Sequence, residues 1–304
     1  MSITVAIPTL NRPGDMAAFM PTLAFQTVLP DEFIVVDAGD TSALKAEMEQ
    51  ALGDTGITLK YLRSERGLCL QRNVALDHAT GDIIFFFDDD VELQPDYIEK
   101  IMECFSMETS PRVGCVQGTL IDPPATIDGW KSKVYRTFGL THWTNEQDPD
   151  LYIAGGVRFL TDPKGVVPVP VAQGCRMAFR REVFETERFV QFLPGYNQNE
   201  DVDMTFRVGK TWTILQTPHA KLIHKESPVN RIQYPAQLGQ IIYAHYYFFT
   251  RYREKTPANV AQYAWSHSGL MAMALGRAVV KAQPEVLKGI KDGYQRCVKD
   301  LVST

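Results

Sequence analysis

Four short apolar runs alternate with three helical segments in the first 90 residues, and this alternation constrains the fold of the chain more than any other feature. The runs are largely continuous in their apolar character, as in parallel strands that are covered on both faces. Strands joined by helices of this length form βαβ units and a mostly parallel α/β sheet. The predicted strands are Ile3–Ile7, Phe33–Val36, Ile57–Leu62 and Asp82–Phe87, and the predicted helices are Pro13–Thr27, Thr41–Leu52 and Leu68–Ala79.

Three consecutive carboxylates, Asp88, Asp89 and Asp90, follow the last of these strands. Neighbouring carboxylates repel one another by roughly 4 kcal/mol per pair at contact distance with an effective dielectric near 20. A divalent cation offsets that repulsion, because Mg²⁺ and Mn²⁺ prefer carboxylates and bridge them to substrate phosphates. In extended backbone Asp88 and Asp90 point to one face and Asp89 to the other. A solvated acidic turn is the alternative interpretation.

Polar residues also follow the first two predicted strands. Ile7 leads into Pro8-Thr9-Leu10-Asn11-Arg12, and Val36 leads into Asp37-Ala38-Gly39-Asp40. Open α/β sheets bind their ligands at the carboxyl edge, where these clusters and the three aspartates meet. The sequence therefore predicts a ligand site at this edge.

The remainder of the chain changes character twice. A helix is expected from Pro95 to Phe105, strands at Gly114–Leu120 and Val166–Val171, and a short helix at Arg180–Glu187. The segment from Asp122 to Asp162 has no clear period and is predicted to be a long irregular loop. Beyond residue 230 the pattern is helical, which predicts a catalytic domain over 1–229 and a helical C-terminal extension over 230–304. The predicted helices there are Tyr234–Tyr252, Ala258–Ala282 and Pro284–Leu301.

Bulk properties exclude several classes of protein. The net charge of −5 and the pI near 5.7 argue against a nucleic-acid partner, which needs a concentrated basic surface. Five scattered cysteines without a CxxC pair predict neither a disulfide framework nor a zinc site, so a reducing, cytoplasmic setting is expected. The N-terminus lacks the features of a signal peptide, and no apolar window is long enough to span a membrane.

Six short motifs, taken together and in order, resemble family 2 glycosyltransferases, which are inverting, nucleotide-sugar-dependent enzymes with the GT-A fold. The resemblance extends to about His224, with Ala38 and Asp40 as departures in the second motif. The motifs are Pro8 to Arg12, Val35 to Gly39, Arg72-Asn73, Asp88 to Asp90, Gly174 to Arg181, and Glu200 to Asp203.

The resemblance implies a donor site for a nucleoside-diphosphate sugar. It places Thr9, Arg12 and Asp37 at the nucleoside and Arg72 near the phosphates, where a guanidinium suits the geometry. It makes Asp90 a ligand of Mn²⁺ or Mg²⁺ on the diphosphate, with Asp88 and Asp89 holding the nucleotide or completing the metal shell. Helix capping for Thr9 and Asn11, a turn for Asp37, and surface salt bridges for Arg72 and Arg66 remain alternatives.

The resemblance also implies an acceptor site. Gly174 and Cys175 would lie beside the donor sugar and the acceptor, and Glu200 would orient the loop or contact the acceptor. Asp201 would act as the general base that deprotonates the acceptor hydroxyl. His224 would join the metal site, although a lone structural histidine is the alternative, as a turn is for Gly174. Asp203 is expected to cap a helix that starts at Met204.

The sequence thus predicts an inverting, hexosyltransferase-type enzyme of polysaccharide or glycolipid assembly. A nucleotidyltransferase and a non-catalytic sugar-nucleotide or glycan-binding module are the competing functions. The first C-terminal helix carries Ile241, Ile242, Tyr246, Phe248 and Phe249 before a basic end at Arg251, Arg253 and Lys255. Such a face contacts the inner surface of a membrane, the catalytic domain, or a second subunit in a homodimer.

Overall fold

The computed structural model of the chain describes residues 1–39, 44–193, 198–229 and 232–303. Asp40, Thr41 and the predicted domain boundary at residue 230 lie outside the described residues. The chain divides into two compact units, one of Met1–Pro123 with Asp162–Asn230 and the other of Pro124–Thr161 with Arg231–Thr304.

The first unit is an α/β domain built on a nine-stranded sheet. Its strands are β1 (Ile3–Thr9), β2 (Glu32–Asp37), β3 (Thr58–Arg63), β4 (Ile83–Phe87), β5 (Val91–Leu93), β6 (Val113–Leu120), β10 (Val167–Pro168), β11 (Arg176–Arg180) and β12 (Thr213–His224). Its helices are α1 (Pro13–Ala24), α2 (Leu44–Leu52), α3 (Leu68–His78), α4 (Tyr97–Phe105) and α6 (Glu200–Val208), with a 3₁₀ turn at Arg181–Glu185. The second unit holds α5 (Gly129–Thr137), β7 (His142–Thr144), β8 (Asp150–Leu151), β9 (Val157–Leu160), α7 (Tyr234–Tyr252), α8 (Pro257–Val280) and α9 (Glu285–Ser303).

The sheet runs in the order β10-β12-β6-β11-β4-β1-β2-β3, with β5 paired to β12. Strands β4, β1, β2 and β3 are parallel, as are β6 and β12, whereas β11 runs antiparallel to its neighbours β4 and β6. This arrangement confirms the predicted mostly parallel α/β fold flanked by helices.

The core explains why the run before the aspartates is so apolar. All five residues of β4 are buried. The ring of Phe86 contacts those of Phe179, Phe184 and Phe189 edge-on, with centroids 5.3–6.3 Å apart. Buried aromatic side chains contribute strongly to stability because of their large apolar area. The packing fixes the end of β4 and with it the position of Asp88.

Two sequence predictions about the middle of the chain are wrong. The segment from Asp122 to Asp162 is not irregular, because it contains α5 and a three-stranded sheet in the order β7-β9-β8. Its strands have only two to four residues, which is too short for a periodic pattern. Asp203 does not cap a helix, since α6 begins at Glu200 and the Asp203 carboxylate pairs with Arg207 Nη2 at 3.1 Å inside that helix.

In the second unit α7 packs closely on α9. Glycines allow the close approach: a Cβ added at Gly293 would lie 2.9 Å from the carbonyl oxygen of Gly239, and one at Gly289 would overlap the carbonyl oxygen of Pro235. Larger side chains at these two α9 positions would push the helices apart. None of the described helices combines the length and the apolar character needed to cross a lipid bilayer.

The apolar face of α7 is not exposed. Ile242, Phe248 and Phe249 are buried. The exposed large apolar side chains of this unit lie mainly on α8 and α9 instead. All five cysteines are free and buried.

Candidate active site

The three aspartates form the whole connection between β4, which ends at Phe87, and β5, which begins at Val91. They differ in exposure: the side chain of Asp88 is 32% exposed, whereas Asp89 and Asp90 are buried. They also differ in their partners, because Thr9 contacts Asp89 whereas His224 contacts Asp88 and Asp90. The triplet is therefore not a solvated acidic turn.

Asp89 is engaged by residues from the end of β1. The hydroxyl of Thr9 donates to Asp89 Oδ2 at 2.7 Å, and Arg12 Nη1 donates to Oδ1 at 2.7 Å. Burial raises the pKa of Asp89 to about 6, although Arg12 and Thr9 act in the opposite direction. Thr9 thus holds an aspartate instead of capping α1, whose N-cap residue is Arg12.

Asp88, Asp90 and His224 form a separate cluster. One ligand atom from each lies within 4.8 Å of the other two. His224 Nε2 is 3.1 Å from Asp90 Oδ1 and 3.9 Å from Asp88 Oδ2. The register of β12 on β5 sets this geometry, because His224 pairs with Val91, the residue after Asp90.

The donor set of this cluster fits a divalent cation. Two carboxylates and one imidazole suit Mn²⁺, and Mg²⁺ takes the same carboxylates. Asp90 Oδ1 is buried and receives no well-aligned hydrogen bond from the described part of the chain, which leaves a lone pair for a metal. The other oxygen, Oδ2, accepts the amide of Ser227 at 2.8 Å and is fixed by it.

The charges of the cluster are strongly coupled. Burial alone would lower the pKa of His224, but the ion pair with Asp90 and the neighbouring Cys175 raise it to about 11. Burial would raise the pKa of Asp90, yet His224 and the Ser227 amide hold it below its ordinary value. The imidazole of His224 and the carboxylate of Asp90 therefore favour each other's charged form.

Arg72 connects Asp88 to Glu200 at the N-terminus of α6. Its side chain is fully buried, which excludes a surface salt bridge. Nη1 donates to Glu200 Oε1 at 2.8 Å, while Nη2 contacts the carbonyl oxygen of Gly174 at 3.2 Å and Asp88 Oδ1 at 3.3 Å. Burial raises the pKa of Glu200 to about 8, and the charge of Asp201 adds to this shift.

Asp201 is held by backbone amides. Gly174 N donates to Asp201 Oδ2 and Val202 N to Oδ1, both at 2.8 Å. Asp201 as a whole residue is half-buried, and burial of its carboxylate raises the pKa above the ordinary value. A carboxylate that is fixed in place and has a raised pKa has the properties of a general base.

Asp37 is less accessible than the sequence predicted for a nucleoside contact. It is completely buried, and it accepts hydrogen bonds from Gly39 N at 2.7 Å, Tyr61 Oη at 2.5 Å and Arg63 Nη1 at 2.7 Å. The guanidinium of Arg63 is about half exposed beside it. Asp37 therefore presents Arg63 toward solvent at this edge of the sheet.

Three polar residues at this edge were missed in the sequence. Tyr61 lies in β3 and Arg63 ends it, and the signal that could have found Arg63 is its place directly after the predicted strand Ile57–Leu62. Gln71 leaves no such signal: its Nε2 joins the carbonyl oxygens of Thr9 and Val36 at 2.9 and 2.8 Å. It ties together the ends of β1 and β2. Arg66, in contrast, is exposed.

A family model described as "Glycosyl transferase family 2" matches residues 4–188. Among curated relatives, a glucosyl-dolichyl phosphate glucuronosyltransferase of Haloferax volcanii is 25% identical over 122 residues, covering 40% of this chain and 38% of the relative. The uncharacterized glycosyltransferase YwdF of Bacillus subtilis is 30% identical over 102 residues, covering 33% of this chain and 37% of the relative. The matches thus span less than two-fifths of these relatives.

Solved structures share the fold over nearly the whole chain. The mannosyltransferase PcManGT from Pyrobaculum calidifontis, in complex with GDP-Man and Mn²⁺, has a TM-score of 0.58 and 18% identity, covering 98% of this chain and 86% of the other. TarS 1–349 of S. aureus, in complex with UDP-GlcNAc, has a TM-score of 0.58 and 14% identity, covering 98% and 82%. Identities this low establish similarity of fold alone.

Proposed function

Because the chain belongs to glycosyl transferase family 2, we propose that it transfers a sugar from a nucleoside-diphosphate sugar to a hydroxyl group of a glycan or glycolipid, with inversion at the anomeric carbon. The observation that carries the proposal is the cluster of Asp88, Asp90 and His224, which lies at the carboxyl edge of the parallel strands. Ligands of open α/β sheets bind at this edge.

In this proposal Asp88, Asp90 and His224 hold Mn²⁺ or Mg²⁺. The bound cation supplies Lewis-acid stabilisation to the departing diphosphate. Asp89 has a different task, because its carboxylate is already paired with Arg12 and Thr9. It keeps the guanidinium of Arg12 at the edge of the donor site, where a diphosphate or ribose would lie.

Asp201 is the proposed general base. Inversion in one step requires a base on the side of the sugar opposite the leaving group. The two backbone amides fix both carboxylate oxygens, and one lone pair on each stays available for the proton of the acceptor hydroxyl. Gly174 supplies one of these amides. Arg72 and Glu200 lie beside Gly174, and Cys175 lies beside His224 of the proposed metal site.

The test uses Asp201→Ala with added formate. An asparagine at this position would turn its NH₂ group against one of the two backbone amides, so Asp201→Asn combines loss of the base with a steric and polar mismatch. Asp201→Ala should lower kcat by about 10²–10⁴-fold, with formate restoring part of the loss and Mn²⁺-dependent nucleotide binding unchanged.

Asp203→Ala is the matched control, because Asp203 is a carboxylate of the same helix that pairs with Arg207. It should show no rescue by formate. The donor is first identified by thermal shift with UDP, GDP and dTDP sugars, with and without Mn²⁺. Binding without transfer or donor hydrolysis would refute the enzyme and favour a binding module, and pyrophosphate release from a nucleoside triphosphate would favour a nucleotidyltransferase.

A further inference from the structure

Helix α8 has a composition that is unusual for an exposed helix. No Asp, Glu, Lys or Arg occurs from Pro257 to Gly276. Most of this stretch is nevertheless exposed or partly exposed. Water-facing helices normally carry charged residues on their outer face. The outer face of α8 is therefore suited to a surface that is not water.

Helix α9 continues the apolar surface. Leu287, Tyr294, Val298 and Leu301 recur at intervals of seven, four and three residues, so they share one face. Eleven of the 21 exposed large apolar side chains among the described residues lie on α8 and α9. We define the α8–α9 surface by its most exposed members: Val279 and Val280, which are 81% and 84% exposed, and Leu287, Val298, Leu301 and Val302.

Lysines border this surface. Lys281 follows α8 directly, and Lys288, Lys291 and Lys299 lie on the exposed side of α9. On a helical projection Lys291 falls within the apolar arc of α9, with Lys288 and Lys299 beside it. Long lysine side chains can extend from such an arc to reach polar groups at an interface.

The charge of the region is opposite to that of the remaining chain. Residues 231–304 contain 10 basic and 4 acidic residues, whereas residues 1–230 contain 21 basic and 32 acidic ones. The C-terminal segment thus has a net charge of +6 in a chain whose total is −5, and +3 of this belongs to residues 257–303, which form α8 and α9. A basic, apolar helical surface complements the anionic headgroups and acyl boundary of a bilayer.

We propose that the α8–α9 surface docks on an anionic phospholipid bilayer, with its apolar side chains at the acyl boundary and its lysines at the headgroups. A second copy of the chain fits less well. Symmetric pairing would bring together two surfaces of the same positive charge, and like charges at an interface repel. The docking is independent of the sugar-transfer reaction.

The test is co-sedimentation of the full chain with vesicles, without nucleotide. One set is pure phosphatidylcholine, and in the other about one lipid in three is phosphatidylglycerol. Binding to the anionic vesicles should be at least tenfold tighter than to the neutral ones and should weaken as salt rises to about 0.5 M.

Two double variants test the two components separately. Lys288→Gln with Lys291→Gln should weaken binding about 25-fold, since each lysine contributes about fivefold. Val279→Ser with Val280→Ser should weaken it at least tenfold, and both residues are exposed enough for the fold to survive. The matched controls lie in the first unit: Lys45→Gln with Lys164→Gln, and Phe25→Ser, whose side chain is 79% exposed. They should change binding less than twofold.

Three results would overturn the proposal. The first is equal binding to neutral and anionic vesicles, or binding to neither. The second is an equal loss in the variants and their controls. The third is a lipid-free dimer in light scattering that Val279→Ser with Val280→Ser dissociates, because the surface would then be an interface between copies. Loss of sugar transfer with intact vesicle binding would count against the proposed function and leave the docking intact.

Discussion

Substituting Gly174 by alanine should damage the site through Arg72. A Cβ added at Gly174 would lie 2.8 Å from Arg72 Nη2 and 3.3 Å from Glu200 Oε1. Ordinary contacts of this kind begin near 3.4 Å, so the guanidinium must move by about 0.6 Å. Arg72 is fully buried, so its guanidinium is not in contact with solvent into which it could turn.

The magnitude follows from the contacts that this movement breaks. Nη2 is already 3.2 Å from the carbonyl oxygen of Gly174 and 3.3 Å from Asp88 Oδ1. A further 0.6 Å takes these contacts beyond about 3.5 Å, where a hydrogen bond is lost. Overpacking of this size costs about 1–3 kcal/mol. For a unit of this size the melting temperature should fall by about 2–4 °C per kcal/mol.

The assay compares thermal unfolding of Gly174→Ala with that of Gly14→Ala. A Cβ at Gly14 would meet no heavy atom within 4 Å, so the same chemical change is expected to stay within about 0.5 kcal/mol or to stabilise slightly. The double variant Gly174→Ala with Arg72→Ala removes the atom that clashes, and the added cost of the alanine at 174 should largely vanish. Equal melting temperatures for Gly174→Ala and Gly14→Ala would refute the steric argument.

Three further predictions follow from burial and charge. Burial raises the pKa of Glu200 from 4.5 to about 8, so between these pH values the folded chain binds one proton more than the unfolded chain. The protonated carboxyl of Glu200 therefore contributes stability that is complete below pH 4.5 and is lost as the pH rises through about 8. The unfolding free energy of the wild type should therefore fall relative to that of Glu200→Gln between pH 5 and about 8 in urea titrations, and parallel curves would contradict this shift. Phe86→Ala should cost about 3–5 kcal/mol in the same titrations, whereas Phe25→Ala on the surface should cost less than about 0.5. Asp90→Ala should abolish the Mn²⁺ dependence of nucleotide binding in calorimetry, as chelation does for the wild type; unchanged dependence would place the metal elsewhere.

The sequence predicted the parallel strands because their apolar runs are continuous and end at polar residues. It did not predict β11, because this strand begins and ends with arginine. Both arginine side chains are buried and form hydrogen bonds that the sequence pattern does not indicate. Arg176 Nη1 donates to the carbonyl oxygen of Gly118 at 2.7 Å, and Arg180 Nε donates to that of Val113 at 2.8 Å. Between these two arginines the apolar run has only three residues, which is too short to be identified as a strand.

The candidate site was predictable at the strand exits and less so elsewhere. Carboxyl ends of parallel strands share one edge, so Thr9, Asp37 and Asp88 could be placed together without coordinates. The burial of Asp37 behind Arg63 could not be predicted in this way. Asp37 and Arg63 are paired on neighbouring strands, and which of the two is exposed depends on how far each side chain extends. The same holds for Gln71, which joins two strands through their carbonyl oxygens.

The pairing of β12 with β5 brings His224 to Asp88 and Asp90, which are far away in the sequence. Strand β12 pairs with β5 in antiparallel register, so that His224 is opposite Val91 and Ile223 is opposite Glu92. The amide of Lys225 then donates to the carbonyl oxygen of Asp90 at 2.9 Å and continues this pairing. Because side chains alternate along a strand, a register shift of one residue would turn the imidazole to the opposite face of the sheet. The backbone pairing of two strands therefore brings His224 beside Asp90 and builds the cluster of Asp88, Asp90 and His224.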